Sequence, residues 1–303
     1  MPNDLERLLA SRDVVILDGA TGTELERRGM PAPLPLWTAD AAVRAPDLLR
    51  QIHVDYLEAG ADVLTANTFR THPYTLRAAG REAEAADLTR RSVEIARQAC
   101  ERAGRGLVAG SVAPLEDCYH PERVPPPDVL RRDHAAHVRN LVAAGVDLVL
   151  VETMNTAREA HAAAEAGLES GLPVLVSLIL DQRSGDVLSG EDLEVAWAHL
   201  RALEAHGARV AGFLVNCAPP DVIAPALERT HRPQDARPIG AYANLGRAET
   251  HGNWTHDAAT PVEAYAERAL EWVEMGARWI GGCCGTTPDH IRAVAAALRG
   301  AHG

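Results

Sequence analysis

Short apolar segments that alternate with helical patterns restrict the fold of this chain more than any other feature. Eight segments are rich in β-branched and aliphatic residues and lack polar alternation, as expected for strands buried on both faces. They are Val14–Ala20, Ala61–Phe69, Leu107–Val112, Val146–Thr153, Pro173–Leu180, Val210–Cys217, Pro238–Gly246 and Trp279–Gly285. Helical patterns follow them at Pro46–Ala59, Thr75–Ala103, Asp128–Ala144, Thr156–Ser170, Asp192–His206, Pro219–Thr230, Pro261–Met275 and Pro288–Arg299.

A small internal repeat supports this alternation. Four of the helical patterns end in a glycine that precedes the next strand, at Gly60, Gly145, Gly207 and Gly276. Glycine commonly ends a helix because it adopts the left-handed conformation at little cost. Eight strand–helix units in 303 residues predict a single-domain (β/α)8 TIM barrel that spans residues 1–303. An open doubly wound sheet is the alternative, and the glycine-rich stretch 18–22 matches its phosphate-binding fingerprint only in part.

The bulk composition narrows the class of partner and the compartment. A net charge of −12 argues against nucleic acid and against an anionic membrane as partners. No apolar run approaches the roughly 20 residues of a membrane span, and the first ten residues form a charged amphipathic segment without a secretory core. Five cysteines, an odd number, do not form a disulfide framework. We therefore expect a cytoplasmic protein.

All 30 basic residues are arginine, and the chain contains no lysine. Schiff-base aldolases, pyridoxal phosphate enzymes and lysine-dependent phosphate loops each need a lysine amine. These three classes of function are therefore excluded.

The predicted strand ends carry the residues with chemistry, and in barrels of this type the active site lies at those ends. They are Asp18, Gly19, Ala20 and Thr21 after the first strand, Asn67, Thr68 and Phe69 after the second, Ser111 after the third, Glu152 and Thr153 after the fourth, Asn216 and Cys217 after the sixth, Asn244 after the seventh, and Cys283 and Cys284 after the eighth. Three of the five cysteines thus fall on one rim of the barrel.

These three cysteines have the composition of a catalytic zinc site. Cys217 and the pair Cys283 and Cys284 flank the seventh strand, and neighbouring strands lie about 4.8 Å apart. Side chains from both sides can therefore share an ion at Zn–S distances of roughly 2.3 Å, with a fourth position open for substrate. Adjacent residues on a strand point to opposite faces, so the pair must leave strand geometry, which its flanking glycines permit. Two small core residues or a vicinal disulfide are the alternatives for the pair.

Five motifs, taken in order, resemble the homocysteine S-methyltransferase family over nearly the whole chain. They are Asp18–Thr23, Leu64–Phe69, Glu152–Thr153, Val215–Cys217 and Gly281–Gly285. The resemblance implies a Zn²⁺ ion that is held by Cys217, Cys283 and Cys284 and binds the homocysteine thiol. It also implies that Asn244 fills the fourth position when substrate is absent.

The same resemblance implies how the amino-acid part of the substrate is bound. Glu152 is expected to receive the ammonium group, and the turn of Asp18, Gly19, Ala20 and Thr21 is expected to meet the head group. Backbone N–H groups of such a turn suit a carboxylate. We assign Thr153 and Asn67 to the same substrate-binding set.

The expected reaction is attack of the homocysteine thiolate on a methyl group of a cationic donor, which forms methionine. We assign the donor pocket to Trp37, Phe69 and Arg70. A Trp37 ring suits a cationic methyl group, but Arg70 would repel the quaternary ammonium of a betaine-type donor. Folate-using members carry further folate and cobalamin domains, for which 303 residues leave no room. We therefore expect a sulfonium donor, S-methylmethionine or S-adenosylmethionine.

Other interpretations stay open. A betaine-type donor, another thiol acceptor, or a non-catalytic barrel that binds zinc or thiols are alternatives within the family. A barrel with a phosphate site at Gly246 and Gly281–Gly285 is an alternative outside it. The expected partners are homocysteine and a small methyl donor, with a homo-oligomer as a further option. We interpret His134 and His137 as part of a solvated helix face, and Cys100 and Cys118 as structural or incidental.

Overall fold

The computed structural model of the protein describes residues 4–203, 210–231, 237–245, 247–248, 254–255 and 260–300. Gly207 and Gly246 lie outside this part of the chain. Within it, no helix is both long enough and apolar enough to cross a bilayer.

Eight parallel strands form a barrel. They are β1 Val15–Ile16, β2 Val63–Ala66, β3 Leu107–Val112, β4 Leu148–Met154, β5 Val174–Ile179, β6 Val210–Asn216, β7 Ile239–Ala243 and β10 Ala277–Gly282, with a short antiparallel pair, β8 Arg247–Ala248 and β9 Trp254–Thr255, between the last two in sequence. The barrel strands run in the order β1-β10-β7-β6-β5-β4-β3-β2. A parallel bridge between Leu17 and Val63 joins the two ends of this order, and the Asp18 N–H donates to Val63 O at 3.0 Å. The predicted (β/α)8 barrel is confirmed.

Helices surround the strands. In the described residues they are α1 Asp4–Ser11, α2 Thr21–Arg27, α3 Ala41–Arg44, α4 Pro46–Ala59, α5 Pro73–Ala78, α6 Ala85–Ala103, α7 Pro127–Ala144, α8 Ala157–Glu169, α9 Leu193–Arg201, α10 Pro220–Thr230, α11 Val262–Glu274 and α12 Pro288–Gly300, with 3₁₀ turns at Glu82–Glu84 and Pro121–Arg123. Left-handed glycines follow α4 at Gly60 and α7 at Gly145, as the repeat predicts.

One predicted helix is wrong. The pattern over 75–103 is two helices, α5 and α6, because Gly80 takes a φ of +71° and ends the first one. The Arg81 N–H then donates to Leu76 O at 2.7 Å, and the Gly80 N–H donates to Arg77 O at 3.0 Å. These two bonds form a Schellman motif, which satisfies the last carbonyl groups of α5 and turns the chain out of its axis.

Aliphatic and aromatic side chains from the strands fill the barrel interior. They are Val15, Leu17, Val63, Ala109, Leu148, Leu150, Leu175, Leu214, Tyr242 and Trp279, and Leu5 of α1 joins them. Arg278 ties α1 to the barrel, because its Nη2 donates to Leu9 O at 3.1 Å and to Arg12 O at 2.7 Å. The interior is therefore a packed core, and the opening for chemistry lies at the opposite rim.

The two histidines interpreted as a solvated face of α7 are fully buried, so that interpretation is wrong. His137 Nε2 lies 3.0 Å from Ser111 O, and His134 Nε2 lies 3.2 Å from Glu159 Oε1. Burial lowers the pKa of His137 to about 4, which keeps its ring neutral at physiological pH. The histidines therefore join α7 to β3 and α8 as hydrogen-bonding core residues.

Candidate active site

A cavity of about 410 Å³, the rim cavity, opens at the carboxyl ends of the barrel strands. All the residues assigned to substrate and donor line it, together with the three cysteines: Asp18, Gly19, Ala20, Thr21, Trp37, Asn67, Phe69, Arg70, Glu152, Thr153, Cys217, Cys283 and Cys284. Asn244 is the one assigned site residue that is not part of the lining. The strand-end rule thus brings nearly the whole predicted set into one space.

Cys217, Cys283 and Cys284 form a compact group of thiols, the cysteine centre. Their Sγ atoms all lie within 4.8 Å of one another, and Cys217 Sγ is 3.0 Å from Cys283 Sγ. Sequence separation is large, so this proximity depends on β6 and β10 lying on either side of β7. Among the described residues, these three are the one group of histidine, cysteine or acidic side chains spaced to hold a metal ion.

The cysteine pair meets Cys217 because the backbone leaves strand geometry before the cysteines. Strand β10 ends at Gly282, and strand β6 ends one residue before Cys217, which takes a φ of +53°. The strands predicted to reach Gly285 and Cys217 therefore end earlier, and the chemistry lies in turns. At Gly285, φ is +85° and an added Cβ would lie 2.5 Å from Leu245 O, so only glycine fits this turn.

Hydrogen bonds fix the position of Asn244 between the two cysteine turns. Its N–H donates to Ala218 O at 3.1 Å, and the next N–H, of Leu245, donates to Cys284 O at 2.7 Å. The Asn244 side chain is fully buried, and neither its Oδ1 nor its Nδ2 has a hydrogen-bond partner in the described residues. An unpaired buried amide is costly, so this side chain has the character of a ligand without its partner.

Polar contacts around the cysteine centre orient and differentiate its thiols. Asn216 Nδ2 donates to Thr153 Oγ1 at 2.8 Å and lies 3.9 Å from Cys283 Sγ. Hydrogen bonding with Cys283 and Cys284 raises the pKa of the Cys217 thiol, whereas bonding with Cys217 and Cys283 lowers the pKa of Cys284. A close group of three thiols thus favours a shared proton or a shared cation over three separate anions.

Two buried carboxyl groups share the rim cavity, and neither has a basic side chain within ion-pair distance in the described residues. Asp18 accepts from the Thr65 N–H and from Thr65 Oγ1, both at 2.8 Å. Burial raises the pKa of Asp18 to about 8, and Glu152 adds repulsion. Glu152 accepts from Ser111 Oγ at 2.5 Å and from Tyr242 Oη at 3.3 Å, and burial raises its pKa to about 7. A cationic ligand group would relieve both costs.

The turn after β1 is held by polar contacts from across the rim. The Ala20 N–H donates to Thr286 Oγ1 at 3.2 Å, and Tyr56 Oη donates to Ala20 O at 3.1 Å. Thr21 Oγ1 is buried and has no hydrogen-bond partner in the described residues. The Ala20 N–H is therefore already used, and the Thr21 hydroxyl is available to a ligand.

Aromatic rings and one arginine form the wall near β2. The Trp37 and Phe69 rings meet edge to face with centroids 5.8 Å apart, and the Arg70 guanidinium lies over the Phe69 ring at 5.3 Å. Asn67 lines the cavity, but its amide bonds to Thr38 in both directions, at 2.7 and 2.9 Å. Asn67 thus shapes the wall by holding the segment that carries Trp37.

Several residues of the site were missed by the sequence analysis. Tyr119 Oη lies 3.8 Å from Cys217 Sγ, and Tyr242 reaches Glu152 from β7. Cys118, interpreted as structural or incidental, lines the rim cavity beside Tyr119. The only signal for Tyr119 and Cys118 was their place in the loop after β3, and that signal does not say which way a side chain points.

Comparison with known proteins identifies the family of the chain. The family model for homocysteine S-methyltransferase matches residues 15–298. The homocysteine S-methyltransferase of Escherichia coli (strain K12) is 33% identical, over 97% of this chain and 98% of its own length. The selenocysteine methyltransferase of Astragalus bisulcatus is 29% identical, over 92% of this chain and 90% of its own.

A solved structure shows the same fold at similar identity. The metallated form of the homocysteine methyltransferase MmuM from Escherichia coli superposes with a TM-score of 0.82 and 32% identity, covering 97% of this chain and 99% of that chain. The family match over residues 15–298 spans every strand of the barrel and all three cysteines. The chain therefore belongs to the homocysteine S-methyltransferase family of methyl-transferring enzymes.

Proposed function

We propose that this enzyme transfers a methyl group from a sulfonium donor, S-methylmethionine or S-adenosylmethionine, to the thiol of homocysteine, and that it uses Zn²⁺. The observation that carries the proposal is the cysteine centre, whose three Sγ atoms lie within 4.8 Å of one another in the wall of a cavity that also holds two buried carboxyl groups with no basic partner among the described residues. One cavity thus offers a thiol-binding end and an ammonium-binding end.

The cysteine centre suits a zinc ion. Thiolate sulfur is a preferred zinc ligand, and three protein ligands are the usual number at a catalytic site. Cys217, Cys283 and Cys284 would hold the ion, and the unpaired Asn244 amide supports its assignment as a fourth ligand in the absence of substrate. A bound zinc ion supplies Lewis acidity, which lowers the pKa of a substrate thiol.

The acidic pair supports an amino acid as the acceptor. Asp18 and Glu152 both gain from a nearby cation, because burial raises the pKa of each. The α-ammonium group of homocysteine supplies that cation, and Thr21 Oγ1 offers a hydrogen bond to its carboxylate. Binding the amino-acid part at this end directs the thiol toward the cysteine centre.

The transfer step needs no proton donor from the protein. The thiolate lone pair attacks the methyl carbon, the bond from that carbon to the donor sulfur breaks, and its electron pair stays on the departing sulfur. The departing molecule is a neutral thioether, so no leaving-group protonation is required. The protein contributes alignment and exclusion of water, and the Trp37 and Phe69 side chains line the cavity, where an aromatic ring attracts a cationic methyl group.

Metal analysis tests the central part of this proposal. We expect zinc near one equivalent in the wild type, little in Cys283→Ser, and no measurable methyl transfer by that variant. Cys100→Ser is the matched control, because Cys100 is buried on α6 away from the rim cavity; it should keep its zinc. Equal zinc in the wild type and Cys283→Ser would refute the zinc site.

A donor and acceptor panel tests the rest. With homocysteine as acceptor, we expect turnover with S-methylmethionine or S-adenosylmethionine and none with betaine. Selenocysteine belongs in the acceptor panel, because one relative is a selenocysteine methyltransferase. Turnover with betaine alone would overturn the sulfonium assignment, and zinc binding without turnover on any donor would favour a non-catalytic barrel.

A further inference from the structure

Arg70 is a buried cation with few protein partners. It is 8% exposed, and a guanidinium carries five N–H donors and no acceptor. Nη1 donates to Glu116 O at 2.9 Å, whereas the buried Nε has no acceptor in the described part of the chain. No carboxylate of that part lies within 4.0 Å of it. A buried charge is costly unless it is paired, so Arg70 is suited to an anion that arrives from the cavity.

The charges of the rim cavity define what that anion is. Arg70 is the one basic side chain among the described residues that line the cavity, which also contains the acids Asp18, Glu26, Asp117 and Glu152. A dianionic phosphate would meet one cation and four carboxyl groups, so its net environment would be repulsive. A single carboxylate matches a single guanidinium, and the fork of the guanidinium suits its two oxygens.

This carboxylate is a second one, distinct from that of the acceptor. Asp18 and Glu152 account for the ammonium group of homocysteine, and the Thr21 hydroxyl accounts for its carboxylate. Arg70 lies on the β2 side, next to Phe69 and, through it, Trp37, which form the aromatic wall assigned to the donor methyl group. We propose that Arg70 binds the carboxylate of the methyl donor, so that the donor is an amino-acid sulfonium rather than a simple sulfonium cation.

The spacing of charges within the donor follows from this assignment, which rests on the proposed function. In S-methylmethionine three carbons separate the carboxylate from the sulfonium, so a carboxylate bound at Arg70 leaves the reactive methyl group several bonds away from the guanidinium. In betaine a single carbon separates the carboxylate from the methyl-bearing nitrogen, so a carboxylate bound at Arg70 would hold the reactive methyl groups close to the guanidinium. Arg70 therefore selects for donor length as well as for the presence of a carboxylate.

Kinetics with Arg70→Gln test the inference. We expect the KM for S-methylmethionine to rise on the order of 10- to 100-fold, as for loss of a charge-assisted hydrogen bond. The KM for homocysteine should stay within about 2-fold, since Arg70 does not touch the acceptor. Arg70→Lys should recover part of the loss. Arg139→Gln on the exposed face of α7 is the matched control and should change neither KM.

A donor that lacks the carboxylate completes the test. The carboxamide of S-methylmethionine should be a poor donor for the wild type, and Arg70→Gln should not weaken it further. An equal loss with both donors, or a rise confined to the KM for homocysteine, would overturn the assignment. Circular dichroism and the Tm of each variant separate a binding defect from misfolding.

Equilibrium binding separates this inference from the proposed function. Calorimetric titration of S-methylmethionine into purified protein should give an affinity that falls on the order of 10- to 100-fold in Arg70→Gln. Methyl transfer in the wild type with an affinity independent of Arg70 would overturn the inference and leave the function intact. Absence of S-methylmethionine binding to the wild type would overturn the inference, and absence of transfer from every donor would overturn the proposed function.

Discussion

Burial of the Asp18 carboxyl group lowers the stability of the folded protein at the pH values where this group would ionise. Its carboxyl group is 3% exposed and accepts two hydrogen bonds from Thr65, yet burial still raises its pKa to about 8. The folded state therefore prefers the neutral acid, while the unfolded chain ionises near pH 4. The contribution of Asp18 to the free energy of unfolding is fully present below the pKa that this group has in the unfolded chain. It is lost as the pH rises through the pKa that the group has in the folded protein.

Asp18→Asn should therefore stabilise the ligand-free protein and weaken its binding of homocysteine. The amide keeps both contacts with Thr65 and removes the ionisation, so its advantage in free energy of unfolding should grow by on the order of 1–3 kcal/mol between about pH 6 and about pH 9. Urea unfolding at the two pH values measures this change. Asp128→Asn, at the exposed start of α7, is the control, and a pH-independent advantage for Asp18→Asn would contradict the prediction.

The chemistry of individual side chains also determines which residues of the site could be predicted from the sequence. The cysteines and acids were found because few side chains bind a soft metal or an ammonium group, and because strand ends converge on one rim. Tyr119 and Tyr242 were missed, since their roles come from where their hydroxyls point. The Asn67 amide was assigned to substrate, but it bonds to Thr38, a contact that depends on tertiary structure.

At the scale of elements, the two strands that lead to the cysteines, β6 and β10, end earlier than their apolar patterns predict. Hydrophobic content does not distinguish the last strand residue from a tight turn that is equally buried, as at Cys217. For the same reason the helix pattern over 75–103 concealed the break at Gly80. At the ends of β6 and β10, the positions of the cysteines thus depend on backbone conformation and not on the pattern of side chains.

Gly285→Ala tests this dependence on backbone. An added Cβ would meet Leu245 O at 2.5 Å and would also occupy a φ of +85°, so the turn that carries Cys284 must shift. We expect zinc affinity to fall at least roughly 10-fold, because metal sites need ligands placed closely. Competition with a chromogenic chelator measures this affinity.

The control for that experiment separates strain from displacement. Gly145→Ala has a similar φ of +82°, but an added Cβ there would meet nothing within 4 Å. This variant should lose about 1 kcal/mol of stability and keep the zinc affinity of the wild type. Equal losses of zinc in both variants would show that general destabilisation, and not the Cys284 turn, controls the metal site.

At the scale of the whole molecule, the barrel is built around Trp279. This side chain is fully buried in the interior, and glycines on β6 and β7 leave space for it. A Cβ on Gly212 would lie 2.8 Å from Trp279 Nε1, and one on Gly240 would lie 2.4 Å from Trp279 Cβ. The sequence predicts eight strands, but not which interior positions must be empty so that one large ring fits, because that depends on the register between β6, β7 and β10.

A double-mutant cycle measures this fit. Trp279→Phe should lower the free energy of unfolding by about 1–3 kcal/mol through the cavity it leaves, and Gly212→Ala should cost about 1–3 kcal/mol through overpacking. The double variant should lose less free energy of unfolding than the sum of the two single losses. The smaller ring of Phe leaves room for the alanine methyl group, and that methyl group fills part of the cavity left by the indole. Denaturant unfolding with unchanged m-values reports each term. Strictly additive losses would mean that the indole and Gly212 are not in contact, and that the interior of the barrel is packed in another register.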